Sequence, residues 1–138
     1  MQARDLTLND INVGDEAFFS RTWEEKDIEL FAQVSGNYNP LHVDEEYAKT
    51  TKFGSRIIFG MHLAVVCSTL VGMYLPGKRC LCLRQDLQFK NPVYIGDTVM
   101  VKGVVTQKSE STSLLTISIE IKNKEEVAAL GTMIVQVL

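Results

Sequence analysis

From Ile57 to Gly77 the chain carries no Asp, Glu, Lys or Arg. An uncharged run of that length is either a bilayer span or a helix buried on every side by its own domain. Gly60, His62, Ser68, Thr69, Gly72 and Pro76 interrupt it, and its flanks read as sharp turns. The reading is therefore a buried helix from about Gly60 to Leu75, ended by Pro76-Gly77, and no membrane span. Such a helix needs a wrapping, and the rest of the chain has the means to supply one. With 138 residues, 46% hydrophobic and 22% charged, residues 1–138 fit a single globular domain and not a disordered or fibrous chain.

Everything after the uncharged run reads as β. Leu87 and Phe89 alternate with Gln88 and Lys90, and Asn91-Pro92 and Gly96-Asp97 mark a turn before a strand over residues 98–108. Leu115, Ile117, Ile119 and Ile121 then alternate with Thr116, Ser118, Glu120 and Lys122 at a period of two. Asn123-Lys124-Glu125-Glu126 reads as a hairpin connection into a last strand over residues 127–137. No helix-length pattern separates these strands, so the sheet is expected to be antiparallel. Upstream, a short strand at 16–21 precedes a helix with Thr22 as cap and Glu25 completing a capping box. Its inner stripe is Ile28, Phe31, Ala32 and Ser35, and Gly36 ends it. A polar loop over residues 37–40 and a short helix from Asp44 through Ala48 follow. The fold class is α+β: an antiparallel sheet wrapped around one long central helix.

Charge and cysteine usage exclude several functions. Fourteen Lys and Arg against seventeen Asp and Glu leave a net charge of −3, with no basic run, which argues against nucleic acid as a partner. If Cys80 and Cys82 share a strand face they sit about 6.5–7 Å apart, too far for a relaxed disulfide. With Cys67 they read as reduced, buried thiols, and no CxxC or HxxxH spacing points to a metal site. The N-terminus opens no apolar run, so a cytoplasmic location is expected.

The densest polar constellation is Ser35-Gly36-Asn37-Tyr38-Asn39-Pro40-Leu41-His42-Val43-Asp44, immediately upstream of the central helix. The chain has only two histidines, and His42 lies in this loop. It is a candidate proton carrier near neutral pH, or else a histidine bonded to a nearby carbonyl. His62, near the start of the buried helix, reads as packing. The free backbone N–H groups at that helix start suit a developing oxyanion, and Gly60 allows a close approach to them. Asp44 and Glu45 read as capping carboxylates.

Ser35 through His42 closely matches the S-G-D-x-N-P-x-H signature of the MaoC-like (R)-specific enoyl-CoA hydratase and acyl dehydratase family. The resemblance continues through Ala48, Phe53, the Ile58-Phe59-Gly60-Met61 helix start and the Phe89–Thr98 stretch, which resembles the family's F-x-x-P-V-x-x-G-D-T turn. It covers the chain from about residue 12 to the end. It implies the hot-dog fold, pairing into homodimers, no cofactor, and an acyl-CoA or acyl-carrier-protein thioester as substrate. It further implies reversible hydration of 2-enoyl thioesters. His42 would be the catalytic histidine, Gly60 the oxyanion donor and Ser68 the supporting serine, with Asn39, Tyr38, Phe59 and Met61 on the substrate.

Two positions depart from the pattern. Phe59 stands where many relatives carry a histidine, and Asn37 stands where the motif has its aspartate. An asparagine has nearly the shape of an aspartate, but its amide donates where a carboxylate accepts. Losing a positioned general base costs about 10²–10⁴ in rate. This leaves a weakened hydro-lyase, a hydratase in which His42 carries the proton traffic alone, or an engineered substitution at Asn37. The alternatives to hydration are a non-catalytic acyl-thioester-binding protein and a hot-dog thioesterase. The thioesterase usually places a carboxylate on or near the central helix, and here that helix has none.

Overall fold

The computed structural model describes residues 2–138. The period-two segments form the strands expected of them. They are β1 (Glu16–Thr22), β2 (Cys80–Phe89), β3 (Thr98–Ser109), β4 (Leu114–Asn123) and β5 (Glu126–Val137). All neighbouring pairs are antiparallel, in the order β1-β3-β4-β5-β2. Register follows the apolar alternation: Ile117 lies opposite Val105 on one side and Met133 on the other, and all three are buried. The sheet thus has one apolar face. Lys124 takes a positive φ of 54° in the β4–β5 connection, a conformation a turn tolerates at a single position.

That face closes on the central helix α4 (Gly60–Thr69), whose Leu63, Val66 and Cys67 enter the core. The expected helix runs on to Leu75, but its last turn widens. Leu70–Tyr74 is a π-helical turn, closed by the Leu75 N–H donating to the Leu70 carbonyl at 3.1 Å. Leu70 is fully buried there and packs where Gly103 of β3 lies; a Cβ at Gly103 would run into its side chain. Among the described residues no helix is long and apolar enough to cross a membrane.

The remaining α-helices lie upstream: α1 (Glu25–Ser35), α2 (Pro40–Val43) and α3 (Glu45–Lys49). Thr22 does not cap α1. It remains the last residue of β1, with its hydroxyl against that of Thr98 at 2.7 Å. The cap shifts to Glu24, whose N–H donates to Asp27 Oδ2 at 2.9 Å, so a carboxylate at the third position replaces the expected glutamate. Ile28 and Ala32 are buried as the stripe requires, whereas Ser35 is exposed and donates to the Phe31 carbonyl at 2.6 Å. Gly36 terminates α1 with φ of 70° and its N–H on Ala32 O. The three thiols are free, and burial pushes Cys67 up to about 12 and Cys80 up to about 11. Cys82 differs from expectation, because it is exposed on β2, the strand at one edge of the sheet.

Candidate active site

The segment read as a polar loop is where the site is built. Gly36 turns the chain out of α1, and the Asn37 carboxamide oxygen accepts the Asn39 N–H at 3.1 Å. Asn39 repeats the device one step on, accepting the Leu41 N–H at 3.0 Å. This second bond makes Asn39 an N-cap, and Pro40 at the first helical position has its φ preset, so α2 starts at the last residue of the expected loop and fills residues 40–43. Asp44 then caps α3 by accepting the Tyr47 N–H at 3.1 Å, as its position implied. Glu45 does not cap. It accepts from Arg56, which also holds Glu25 through two bonds of 2.7 and 2.6 Å. The guanidinium holds the Glu25 carboxyl below its ordinary range and ties α1 to the segment leading into α4.

These turns fix His42 in one orientation. Its backbone N–H donates to the Asn39 carbonyl at 3.0 Å, and its ring lies over Phe59 with centroids 4.1 Å apart. Nδ1 sits 2.9 Å from the Ile57 carbonyl oxygen. A carbonyl only accepts, so Nδ1 carries the proton in the neutral ring and Nε2 is left as the lone pair. The bland reading of His42, bonded to a carbonyl, and the chemical one are therefore the same arrangement: the carbonyl selects the tautomer that can act as a base.

His42 lines a cavity of about 330 Å³ together with Gly60, Phe89 and Val93. Its floor is stapled where the chain entering α4 meets the turn after β2. The Ile58 N–H donates to Val93 O at 2.9 Å, and the Tyr94 hydroxyl donates to Phe53 O at 3.0 Å. Phe59 precedes α4 and offers no side-chain cap, so the amides of Gly60 and Met61 begin the helix without intrahelical acceptors. A Cβ on Gly60 would touch the Phe89 ring at 3.4 Å, so the glycine keeps that approach open.

The other expected site residues are dispersed. Phe59 is 2% exposed and supports His42 from behind, without lining the cavity. Tyr38 faces a separate groove against α1, beside Ile28 and Arg56. Met61 and Ser68 lie along an apolar groove between α4 and β2, which shares only Phe89 with the His42 cavity. Asn37 and Asn39 are exposed on the turn ahead of α2 and act on His42 through the backbone. Lys52, Phe53, Phe89 and Lys90 are cavity walls that no sequence pattern marked as such. The Phe89–Val93 stretch was visible as a motif, but only as a turn.

Behind Phe59 sits His62, 3% exposed and surrounded by the rings of Trp23, Phe31 and Phe59 at 4.5, 4.9 and 5.5 Å. Its Nε2 lies 3.3 Å from the Asp27 carbonyl, while its Nδ1 and the Trp23 Nε1 have no hydrogen-bond partner among the described residues. Burial pushes its pKa below the ordinary histidine value. His62 is a packing residue, as expected.

A family model for the MaoC like domain matches residues 9–129. The chain belongs to the MaoC-like family. It is 46% identical over 109 residues to the (R)-specific enoyl-CoA hydratase of Rhodospirillum rubrum, covering 77% of this chain and 76% of that one. It is 37% identical over 116 residues to the (R)-specific enoyl-CoA hydratase of Aeromonas caviae, covering 84% and 87%. The unliganded R-hydratase PhaJ1 of Pseudomonas aeruginosa superposes with a TM-score of 0.94 at 30% identity, covering 99% of this chain and 88% of that one. The sheet wrapped on α4 in this MaoC-like chain is thus the hot-dog fold.

Proposed function

We propose that this MaoC-like chain is a hydro-lyase that adds water across the double bond of 2-enoyl-CoA thioesters in the (R) sense, and removes it in reverse. The observation that carries the reading is the His42 Nδ1 contact with the Ile57 carbonyl, which leaves a basic Nε2 on a ring lining the same cavity as Gly60. Its kinship to two (R)-specific enoyl-CoA hydratases supports the reaction type.

The steps follow from the groups present. Nε2 of His42 takes a proton from water as the water oxygen bonds to C3 of the enoyl group. The displaced π electrons move through C2 onto the thioester oxygen, where the Gly60 amide N–H donates to the developing enolate. The imidazolium returns its proton to C2 as the enolate collapses, giving a 3-hydroxyacyl thioester. Asn37 and Asn39 act as positioning residues, since their side chains hold the turn that aims His42. Asn37 supplies no carboxylate, so in this scheme His42 carries the proton alone.

We also assign a homodimer formed along β2. That strand is a sheet edge, and Leu81, Leu83 and Phe89 are exposed on it beside Met61 and Val65 of α4. An apolar strand edge of this kind is a hazard unless it is paired. The free thiols fit a cytoplasmic, reducing location. Incubation with crotonyl-CoA tests the reaction. Loss of the conjugated thioester absorbance without release of thiol is expected. Release of free thiol would point to thioester hydrolysis, and binding without either change to a non-catalytic thioester-binding protein.

A further inference from the structure

The chain carries 14 Lys and Arg, and among the described residues ten of them are ion-paired to carboxylates: Arg21, Arg56, Arg79, Arg84 and six lysines. Of the remaining four, Lys52 and Lys90 line the cavity that holds His42 and Gly60. Both are held by neutral partners. The Lys52 ammonium lies 5.2 Å from the centroid of the Phe53 ring, and Lys90 Nζ donates to Gln88 Oε1 at 2.9 Å. Their charge is left uncompensated by any carboxylate in contact, on a chain whose net charge is −3. Both side chains are exposed, so neither is a structural cation.

We infer that Lys52 and Lys90 form an anion-recognition pair that reads the phosphate groups of the thioester carrier, separately from the chemistry at His42. The inference rests on the hydration reading only in taking a thioester as the cargo. Two exposed ammonium groups at a mostly apolar cavity offer nothing to an acyl chain. They do offer steering and retention to a phosphorylated handle, which an acidic chain would otherwise repel. Lysine suits this role as a compact charge that tolerates a flexible partner. The phosphate joined to pantetheine is common to CoA and to an acyl-carrier protein, whereas the nucleotide phosphates belong to CoA alone.

The test compares the full chain with Lys52→Glu, Lys90→Glu and the double variant, after circular dichroism has checked folding. Three substrates are used: crotonyl-CoA, crotonyl 4′-phosphopantetheine and the neutral crotonyl N-acetylcysteamine thioester. The double reversal is expected to lower the ratio of kcat/KM for crotonyl-CoA over the neutral thioester by about tenfold or more, with the loss in KM. The advantage of crotonyl-CoA in the parent should shrink as salt is raised from about 0.05 to about 0.5 M. A response shared by the phosphopantetheine thioester assigns the contact to the phosphate common to both carriers. A response confined to crotonyl-CoA assigns it to the nucleotide and to CoA; either supports the inference. Equal losses on all three substrates, or none, would overturn it. Calorimetric binding of CoA against pantetheine separates the two proposals. CoA affinity lost on charge reversal in a chain that turns over no thioester would sustain phosphate recognition and sink hydration.

Discussion

Asn37 uses its carboxamide oxygen to hold the Asn39 N–H, and a carboxylate oxygen can accept the same bond. Asn37→Asp should therefore keep the turn that aims His42 while placing a carboxylate on that exposed turn, two residues before the Asn39 cap. We expect hydration of crotonyl-CoA to rise about 10²-fold or more, and His42→Ala in the Asn37→Asp background to remove most of the gain. A folded Asn37→Asp protein no faster than the parent would show that a carboxylate at this turn does not reach the reaction. His62 offers a second test at this scale. Its folded pKa lies below the ordinary 6.5, because burial disfavours the charged ring. The unfolded chain then binds the proton first as pH falls below 6.5, so stability present above that pH is lost toward the folded value. His62→Leu should flatten the dependence of Tm on pH between about 6.5 and 5, a window above the titration of ordinary carboxylates. An unchanged slope would show that another group sets it.

At the scale of the elements, Gly60 and Phe89 meet where α4 starts and β2 ends. A Cβ at residue 60 would already be in van der Waals contact with the Phe89 ring at 3.4 Å, and valine adds two methyl groups at that contact. Gly60→Val should leave the fold largely intact and depress hydration by about 10²-fold or more, by closing the approach to the helix-start amide. Unchanged kcat/KM in a folded Gly60→Val protein would remove that amide from the mechanism. The elements themselves were legible wherever one face alternates with water, as along Leu115–Ile121, since burial of that face decides the register. The α2 helix is not legible in the sequence, because it is only four residues long and depends on the Asn39 cap and Pro40, not on any periodicity. The π-turn at Leu70–Tyr74 was not legible either. It sets Leu70 against Gly103 on β3, distant in sequence, and a helical pattern carries no record of such a contact. His42 and Gly60 could be read from the motif. The cavity walls Lys52, Phe53 and Lys90 could not, because they converge only after β2 folds back beside α4.

For the whole molecule, the exposed apolar strip of Met61, Val65, Leu81, Leu83 and Phe89 adjoins the His42 cavity through Phe89. If a second copy covers it, the groove along α4 becomes part of the site's wall. Val65→Glu would place a charge in that covered strip, and burying an unpaired charge is costly. Sedimentation is expected to show a dimer for the parent at micromolar concentration and a monomer for Val65→Glu. A monomeric parent would count against the dimer altogether. Activity should fall with the dimer, since the acyl group would then meet solvent along one side of the groove.

The proposed chemistry turns on His42, with its tautomer set by Ile57 and its ring in the cavity. The most direct measurement is the initial rate of crotonyl-CoA hydration by the parent chain and by His42→Ala, each shown to be folded. We expect the substitution to lower the rate by about 10²–10⁴-fold, the loss typical for a positioned proton carrier. Equal rates in the two proteins would contradict the assignment of His42 and, with it, the proposed route of the proton.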